Sequence, residues 1–373
     1  MNIAFYWGNI PDPLLGGIDR VTVVLAEELK KRGYHVYCIY SGGKERPLLP
    51  CFIDKFKYEN PRSQYQTLEK FLVQKNIRVV INQRFEDRGI IKNLSLAAKS
   101  NEIKLFTVFH SAPGFQLLCQ KSIRGLLKWC YIKFSLKKVL SQHFNEVVQY
   151  SDNLVLLSES FKDQFINAYD IRHEYSKKCV AIANPCTYQI TPPNLLIKDK
   201  IVLVVSRLEE SPKRISFILN IWNSIHELFP EWKLIIVGEG TSRQMYEDFC
   251  KTHNLTSVCF MGRQDPKRFY EKASLFLMTS SYEGWPLTLP EAMIHGVIPI
   301  VMDSFSALHD IIDNTKNGFI IHNNDIKSYI AQLKQLMANA DNLDEIRQNA
   351  IEKASTFSVE SIVEKWECLF KNT

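Results

Sequence analysis

Two carboxylates eight residues apart, Glu283 and Glu291, stand in the segment SSYEGWPLTLPEAMIHGVIPIV. The apolar run before it reads as a strand ending at Ser280, and a helix begins around Leu287 to Pro290, so Glu283 falls in a loop and Glu291 in a first helical turn. Both can then face one cleft, while free backbone N–H groups at the helix start can receive a diphosphate. Pro286 and Pro290 suit a loop and a first turn, where no amide hydrogen bond is lost. The plainer alternative is that Glu291 complements the helix dipole and Glu283 is a solvated loop residue. A second cluster is basic: residues 121–144 place Lys121, Arg124, Lys128, Lys133, Lys137 and Lys138 among leucines and aromatics. Such a stretch can rest on an anionic membrane surface or receive a lipid-linked diphosphate, and it can equally be a pair of packed helices with solvated lysines. No D-x-D metal motif occurs, and no DNA- or RNA-binding motif accompanies the basic stretch, so neither a metal nor a nucleic-acid partner is expected.

These residues need a frame. The run IAFYW, a glycine-bearing loop, the helical pattern VTVVLAEELKKRGY and then HVYCIY form a β-α-β unit with Gly33 as helix stop. RVVIN (78–82), KLFTVF (104–109) and NLVLLS (153–158) continue the alternation as short buried strands. After KCVAIANPC a polar stretch carrying Pro192 and Pro193 intervenes, and IVLVVS (201–206) starts the pattern again. Later strands are WKLIIVG, VCFMG, LFLMTS, VIPIVM and GFII. The expectation is an α/β protein of two Rossmann-like, doubly wound domains facing a cleft: residues 1–188, residues 189–355, and a final helical segment 356–373 packing back on the first. Ligands of such sheets bind at the carboxyl ends of the strands, so the loops after strands are where chemistry belongs.

Composition agrees with two ordinary globular domains: 373 residues, 46% hydrophobic and 23% charged. Charge is uneven, since residues 1–185 hold 27 Lys+Arg against 17 Asp+Glu, and the rest hold 19 against 23. The first half is therefore the one that would attract phosphates or anionic lipid. The nine cysteines are scattered without a C-x-x-C pair and read as buried thiols in a reducing compartment. The N-terminus reads as a first strand rather than a signal peptide, and no apolar run reaches the roughly 18 residues of a membrane span. A cytoplasmic location is expected, with peripheral attachment to the inner face of the membrane through the basic stretch.

The combination of motifs resembles the retaining glycosyltransferases of family four, whose fold is called GT-B. The family segment E-G-[FW]-P-L-x-L-x-E-A-M-x-x-G-x-P is matched from Glu283 through Gly296, with its closing proline one residue later at Pro299, its R-L…K by Arg207 and Lys213 in SRLEESPKR, and its G-G loop by Gly16 and Gly17. Its N-P junction is matched by Asn184 and Pro185, and its ending by Phe357, Ser358 and Trp366. The resemblance implies a metal-independent retaining transfer, without cofactor, of a hexose-type sugar from a nucleotide-sugar donor to a glycan or lipid-linked acceptor. The family's commonest case is a UDP-sugar donor in bacterial surface-polysaccharide or lipopolysaccharide synthesis.

Roles follow from the resemblance and the chemistry. Cleavage at the anomeric carbon builds negative charge on the leaving diphosphate, which Arg207 and Lys213 would neutralise. Glu283 would lie against the sugar ring and Glu291 would hold the nucleotide ribose, so that Glu291 can be replaced with little loss of stability. Gly284, Leu287, Thr288 and Leu289 lie in the matched segment and belong to the donor-binding set. His110, at the end of KLFTVF, shares the location of a family histidine near sugar and acceptor, where hydrogen bonding suits it better than general-base work. Gly16 and Gly17 would let a backbone amide approach phosphate. Gly238 and Gly240 would shape a nucleotide-facing loop, and Arg263 would lie near the base. The loop DSFSALHDII departs from the family's glycine-containing pattern and leaves sugar specificity open. The alternative activities are a nucleotide-sugar epimerase or another enzyme on the same fold.

Overall fold

The computed structural model describes residues 1–44, 46–58, 65–114, 126–189 and 198–372, and for residue 88 and residues 126–134 the backbone only. The chain divides into two compact units, Met1–Thr187 with Val359–Thr373, and Tyr188–Ser358.

In the first unit the strands are β1 Asn2–Trp7, β2 His35–Tyr40, β3 Lys55–Lys57, β4 Ile77–Asn82, β5 Lys104–Phe109, β6 Asn153–Leu156 and β7 Cys179–Ala181. They form one sheet in the order β3-β2-β1-β4-β5-β6-β7, and every pairing is parallel. Its helices include α1 Gly17–Lys31, α2 Tyr65–Gln74, α3 Arg88–Lys99, α4 Leu126–Tyr150, α5 Ser160–Ala168 and α6 His173–Ser176. Each long parallel crossover needs such a helix, and helices on the sheet faces explain why the inner strands carry runs of buried apolar residues rather than a strict alternation. Ala4, Tyr6, Ile39, Val80 and Leu105 pack with Leu68, Leu72, Leu94 and Ala97 in one core. The last helix, α15 (Val359–Asn372), is part of this unit. Glu367 accepts hydrogen bonds from Arg32 and the Tyr34 hydroxyl, both at 2.9 Å, and Trp366 meets the Phe106 ring edge-on.

In the second unit the strands are β8 Asp199–Val205, β9 Lys233–Val237, β10 Val258–Phe260, β11 Ala273–Met278, β12 Ile298–Asp303 and β13 Phe319–His322. Their order is β10-β9-β8-β11-β12-β13, again all parallel. Intervening helices include α7 Glu210–Lys213, α8 Ile215–Asn223, α9 Arg243–Thr252, α10 Lys267–Lys272, α11 Thr288–Ile294 and α12 Leu308–Ile311, with α13 Ile326–Ala338 and α14 Asp344–Ser355 after β13. Val202, Leu234, Leu275 and Ile300 lie in one core with Leu219, Trp222 and Leu333. In both sheets the strand order reverses once, between β1 and β4 and between β8 and β11, and these switch points open a crevice at the strands' carboxyl ends.

Among the described residues no helix is long and apolar enough to cross a membrane. The described part of the basic stretch, residues 126–144, lies in helix α4. Lys121 and Arg124 lie outside the described residues, as do the side chains of Lys128 and Lys133. Lys137 pairs with Asp170 at 2.9 Å, and Lys138 is exposed. The seven described cysteines are free thiols, but not all are buried: Cys250 and Cys259 are partly exposed and Cys368 is exposed.

Candidate active site

The switch point of the second sheet brings Lys213 and Glu283 together, with Arg207 on the adjoining loop. β8 runs out at Val205 into Ser206–Arg207–Leu208, where Leu208 donates its amide to the Glu239 carbonyl at 2.8 Å. That contact requires the glycines after β9: a side chain on Gly238, at φ +145°, would overlap the Ser206 carbonyl, and one on Gly240 would overlap that of Leu208. The close approach fixes the loop and leaves Arg207 on its outer side. Arg207 is exposed, and its guanidinium has no partner among the described residues.

Lys213 ends the short helix α7 and reaches across to the loop after β11. Its Nζ lies 2.6 Å from Glu283 Oε1, and the two side chains are only 17% and 12% exposed. The loops are also stitched through their backbones, since Ser281 donates its amide to the Pro212 carbonyl at 2.8 Å and the Thr279 hydroxyl donates to the Arg214 carbonyl at 2.9 Å. The structure thus brings Lys213 and Glu283 together at the reversal of strand order.

Arg214 holds this arrangement and was missed in the sequence. Its backbone sits at φ +50°, a conformation that costs a non-glycine residue about 1 kcal/mol. Its guanidinium offsets that cost by donating to the Thr279 carbonyl (2.6 Å), the Ser280 carbonyl (3.0 Å), and the side-chain oxygens of Asn323 (3.0 Å) and Asn324 (2.8 Å). The fork also stacks over the Phe217 ring. A fan that ends β11 and grips the turn after β13 is invisible in sequence, where Arg214 is one more cation in PKR. Glu210 is a second missed residue: it accepts from Ser216 Oγ at 2.5 Å and from the Tyr246 hydroxyl at 2.9 Å, which fastens α7 to α8 and α9.

Glu291 corrects the expectation about stability. It lies in the first turn of α11, its solvent exposure is 0%, and the Tyr270 hydroxyl donates to its Oε2 at 3.3 Å. His295 stacks on Tyr270 and takes part in a 2.7 Å hydrogen bond with the Glu291 carbonyl. Burial pushes the His295 imidazole down, so it stands as a neutral ring in this cluster. Glu291 therefore has a core partner, and removing it leaves a buried phenol. Of the other matched residues, Leu289 is fully buried, Gly284, Leu287 and Thr288 are half-buried, and Arg263 is exposed beyond β10.

His110, Gly16 and Gly17 belong to the first unit. His110 follows β5, with Nε2 at 2.5 Å from Gln83 Oε1, while Nδ1 is shielded from solvent. Since a carbonyl oxygen accepts, Nε2 carries the proton, and burial pushes the ring down to about 3, so the ring is neutral. Gln83, just past β4, is the partner that sequence did not reveal. Gly16 precedes α1 in an extended conformation with nothing within 4 Å of where a side chain would begin, so packing does not demand glycine there.

Residues 190–354 match the family model of glycosyl transferases group 1. An uncharacterized glycosyltransferase of Haemophilus influenzae is 26% identical over 98% of both chains. The amylovoran biosynthesis glycosyltransferase AmsD of Erwinia amylovora is 26% identical over 94% of this chain and 95% of its own. Among solved structures, Anabaena HepE in complex with UDP superposes with a TM-score of 0.75 at 15% identity over 100% of both chains. The whole chain thus carries the GT-B fold, and its second unit carries the sequence pattern of the glycosyl transferases group 1.

Proposed function

We propose that this protein is a retaining, metal-independent hexosyltransferase that moves a sugar from a UDP-sugar donor to a glycan or lipid-linked acceptor in bacterial surface-polysaccharide or lipopolysaccharide synthesis. The observation that carries the reading is the meeting of Lys213 and Glu283 at the second sheet's switch point, with Arg207 exposed on the adjoining loop and its guanidinium without a partner among the described residues. As the bond from the anomeric carbon to the phosphate oxygen breaks, charge builds on the leaving diphosphate, and two fixed cations can stabilise it. Lys213 would exchange its carboxylate partner for phosphate, which frees Glu283 to meet sugar hydroxyls. With two cations in that role, no metal is required for charge neutralisation. Glu291, Gly238, Gly240 and Arg263 would shape the nucleotide end, and neutral His110, oriented by Gln83, would hydrogen-bond the sugar or reacting oxygens. The first unit would carry the acceptor side.

Support for the substrates comes from the relatives: AmsD is named for amylovoran biosynthesis, and HepE was captured with UDP. A peripheral membrane position is supported by the basic first half and by exposed Lys138. The test is a donor panel offered with and without bacterial glycan acceptors, with nucleotide release and the anomeric configuration of the product as readouts. The reading expects acceptor-dependent release, an anomer like that of the donor, and undiminished turnover in excess chelator. Donor interconversion without acceptor would establish an epimerase instead, and an inverted product or a metal requirement would overturn those parts of the reading. Salt-sensitive co-sedimentation with anionic vesicles tests the membrane position, and indifference to such vesicles would remove it.

A further inference from the structure

The first sheet has a switch point of its own, and a pocket stands beside it. At the carboxyl ends of β1, β2 and β4 an open cavity of about 580 Å³ is lined by Trp7, Asn9, Ser41, Gly43, Arg84 and Glu86, among others. That volume lies within the roughly 300–1,000 Å³ of small-molecule sites. The rim is held by backbone bonds that continue the sheet past the strand ends: Ser41 donates to the Trp7 carbonyl at 3.3 Å, Gly42 to that of Gly8 at 2.9 Å, and Gln83 to that of Tyr6 at 2.9 Å. Gly43 sits at φ +78°, and a side chain there would collide with the Asn9 amide that it now leaves in place.

Arg84 is the centre of the site. Its backbone amide donates to Asn82 Oδ1 at 2.9 Å and its Nη1 to Ser41 Oγ at 3.0 Å, so the guanidinium is aimed by two strand ends. Its Nε lies 4.0 Å from a Glu86 carboxylate oxygen, beyond a good hydrogen bond, and both side chains keep exposure, 37% and 57%. The pocket therefore offers one fork of donors, one carboxylate acceptor, an amide, a hydroxyl and an indole, with no net charge. An anion would gain from Arg84 and be repelled by Glu86. A neutral ring with vicinal hydroxyls uses both, donating to Glu86 and accepting from Arg84, and the apolar wall at Trp7 suits its C–H face.

We infer that this pocket binds a neutral pyranose ring, the terminal sugar of the acceptor glycan. The identification of that sugar as acceptor rests on the transferase reading above, whereas the pocket's preference for a neutral pyranose does not. The probes are methyl glycosides of neutral hexoses and N-acetylhexosamines, with methyl glucuronide as the anionic arm. Binding is followed by saturation-transfer NMR without nucleotide. At least one neutral glycoside should bind wild type saturably, and Arg84→Met and Glu86→Gln should each weaken it about tenfold, the loss expected for one charge-assisted hydrogen bond. Methyl glucuronide should bind more weakly than the neutral ligand, and Glu86→Gln should narrow that gap. UDP affinity, measured on the same samples, should stay within about twofold across the variants, since the donor residues are not among those changed. Binding of no neutral glycoside, preference for the glucuronide, or undiminished binding in both variants would overturn the inference. Failure of wild type to bind UDP while the glycosides bind would contradict the donor assignment and leave the pocket standing.

Discussion

Replacing Glu283 by glutamine should tighten the binding of UDP while slowing transfer. In the free protein Lys213 is held by Glu283 at 2.6 Å with both side chains largely shielded, so a diphosphate must compete with a carboxylate for the same ammonium. Two unit charges about 4 Å apart attract by about 4 kcal/mol at an effective dielectric of about 20, but desolvation and side-chain entropy cancel most of this. Exposed pairs retain about 0.2–1 kcal/mol, and this more sheltered one is assigned about 1–2 kcal/mol. Removing the competitor should lower the UDP dissociation constant by about 5–30-fold. Isothermal titration at low salt reads this directly, and the gain should shrink as salt is raised. Turnover should fall, because the carboxylate placed against the sugar ring is gone. UDP binding that is unchanged or weaker in Glu283→Gln would refute the exchange of partners at Lys213.

Three further outcomes are expected. Arg214→Gly relieves a left-handed backbone but deletes four donor bonds at 2.6–3.0 Å; it should destabilise the protein by about 2–4 kcal/mol in chemical denaturation and lower kcat/KM, and wild-type stability would remove Arg214 from its positioning role. Glu291→Ala should cost about 2–3 kcal/mol, since the partner Tyr270 is left buried; a stability equal to wild type would restore the view that only a ligand engages it. His110 has a folded pKa pushed down to about 3 by burial, below the ordinary value of about 6.5, so the unfolded chain takes up the proton first. Its contribution is fully present above about pH 6.5 and is lost as pH falls toward 3, with a slope of up to about 1.4 kcal/mol per pH unit; His110→Asn should flatten that decline in equilibrium unfolding, and an identical pH profile would contradict the buried neutral ring.

What could be read from the sequence and what could not follows from which interactions are local. β5 spans Lys104–Phe109, the residues its apolar run marks out, and the segment from Ser280 to the α11 turn is legible because Gly284, Pro286 and Pro290 mark a loop and a first helical turn by their own backbone preferences. Short β3 and β7 have only three residues each and exist because a neighbouring strand offers a ladder, which no local pattern records. Glu291 illustrates the same limit at the site. Its spacing from Glu283 suggests a ligand-facing group, but the Tyr270 hydroxyl that meets it comes from α10, 21 residues earlier. Arg214 and Gln83 act through partners just past the ends of other strands, at Thr279 and His110, so their types alone carried no signal.

The role proposed for Arg207 and Lys213 is to hold the donor diphosphate. It is tested by the affinity of UDP relative to uridine, measured for wild type and for the Arg207→Ala/Lys213→Ala double variant. Wild type should bind UDP at least about a hundredfold more tightly than uridine, the increment that two charge-assisted contacts supply. In the double variant that ratio should collapse to within about tenfold, while uridine affinity stays unchanged and kcat/KM falls by about two to three orders of magnitude. A UDP-to-uridine ratio that survives loss of both cations would contradict a diphosphate-binding role for Arg207 and Lys213.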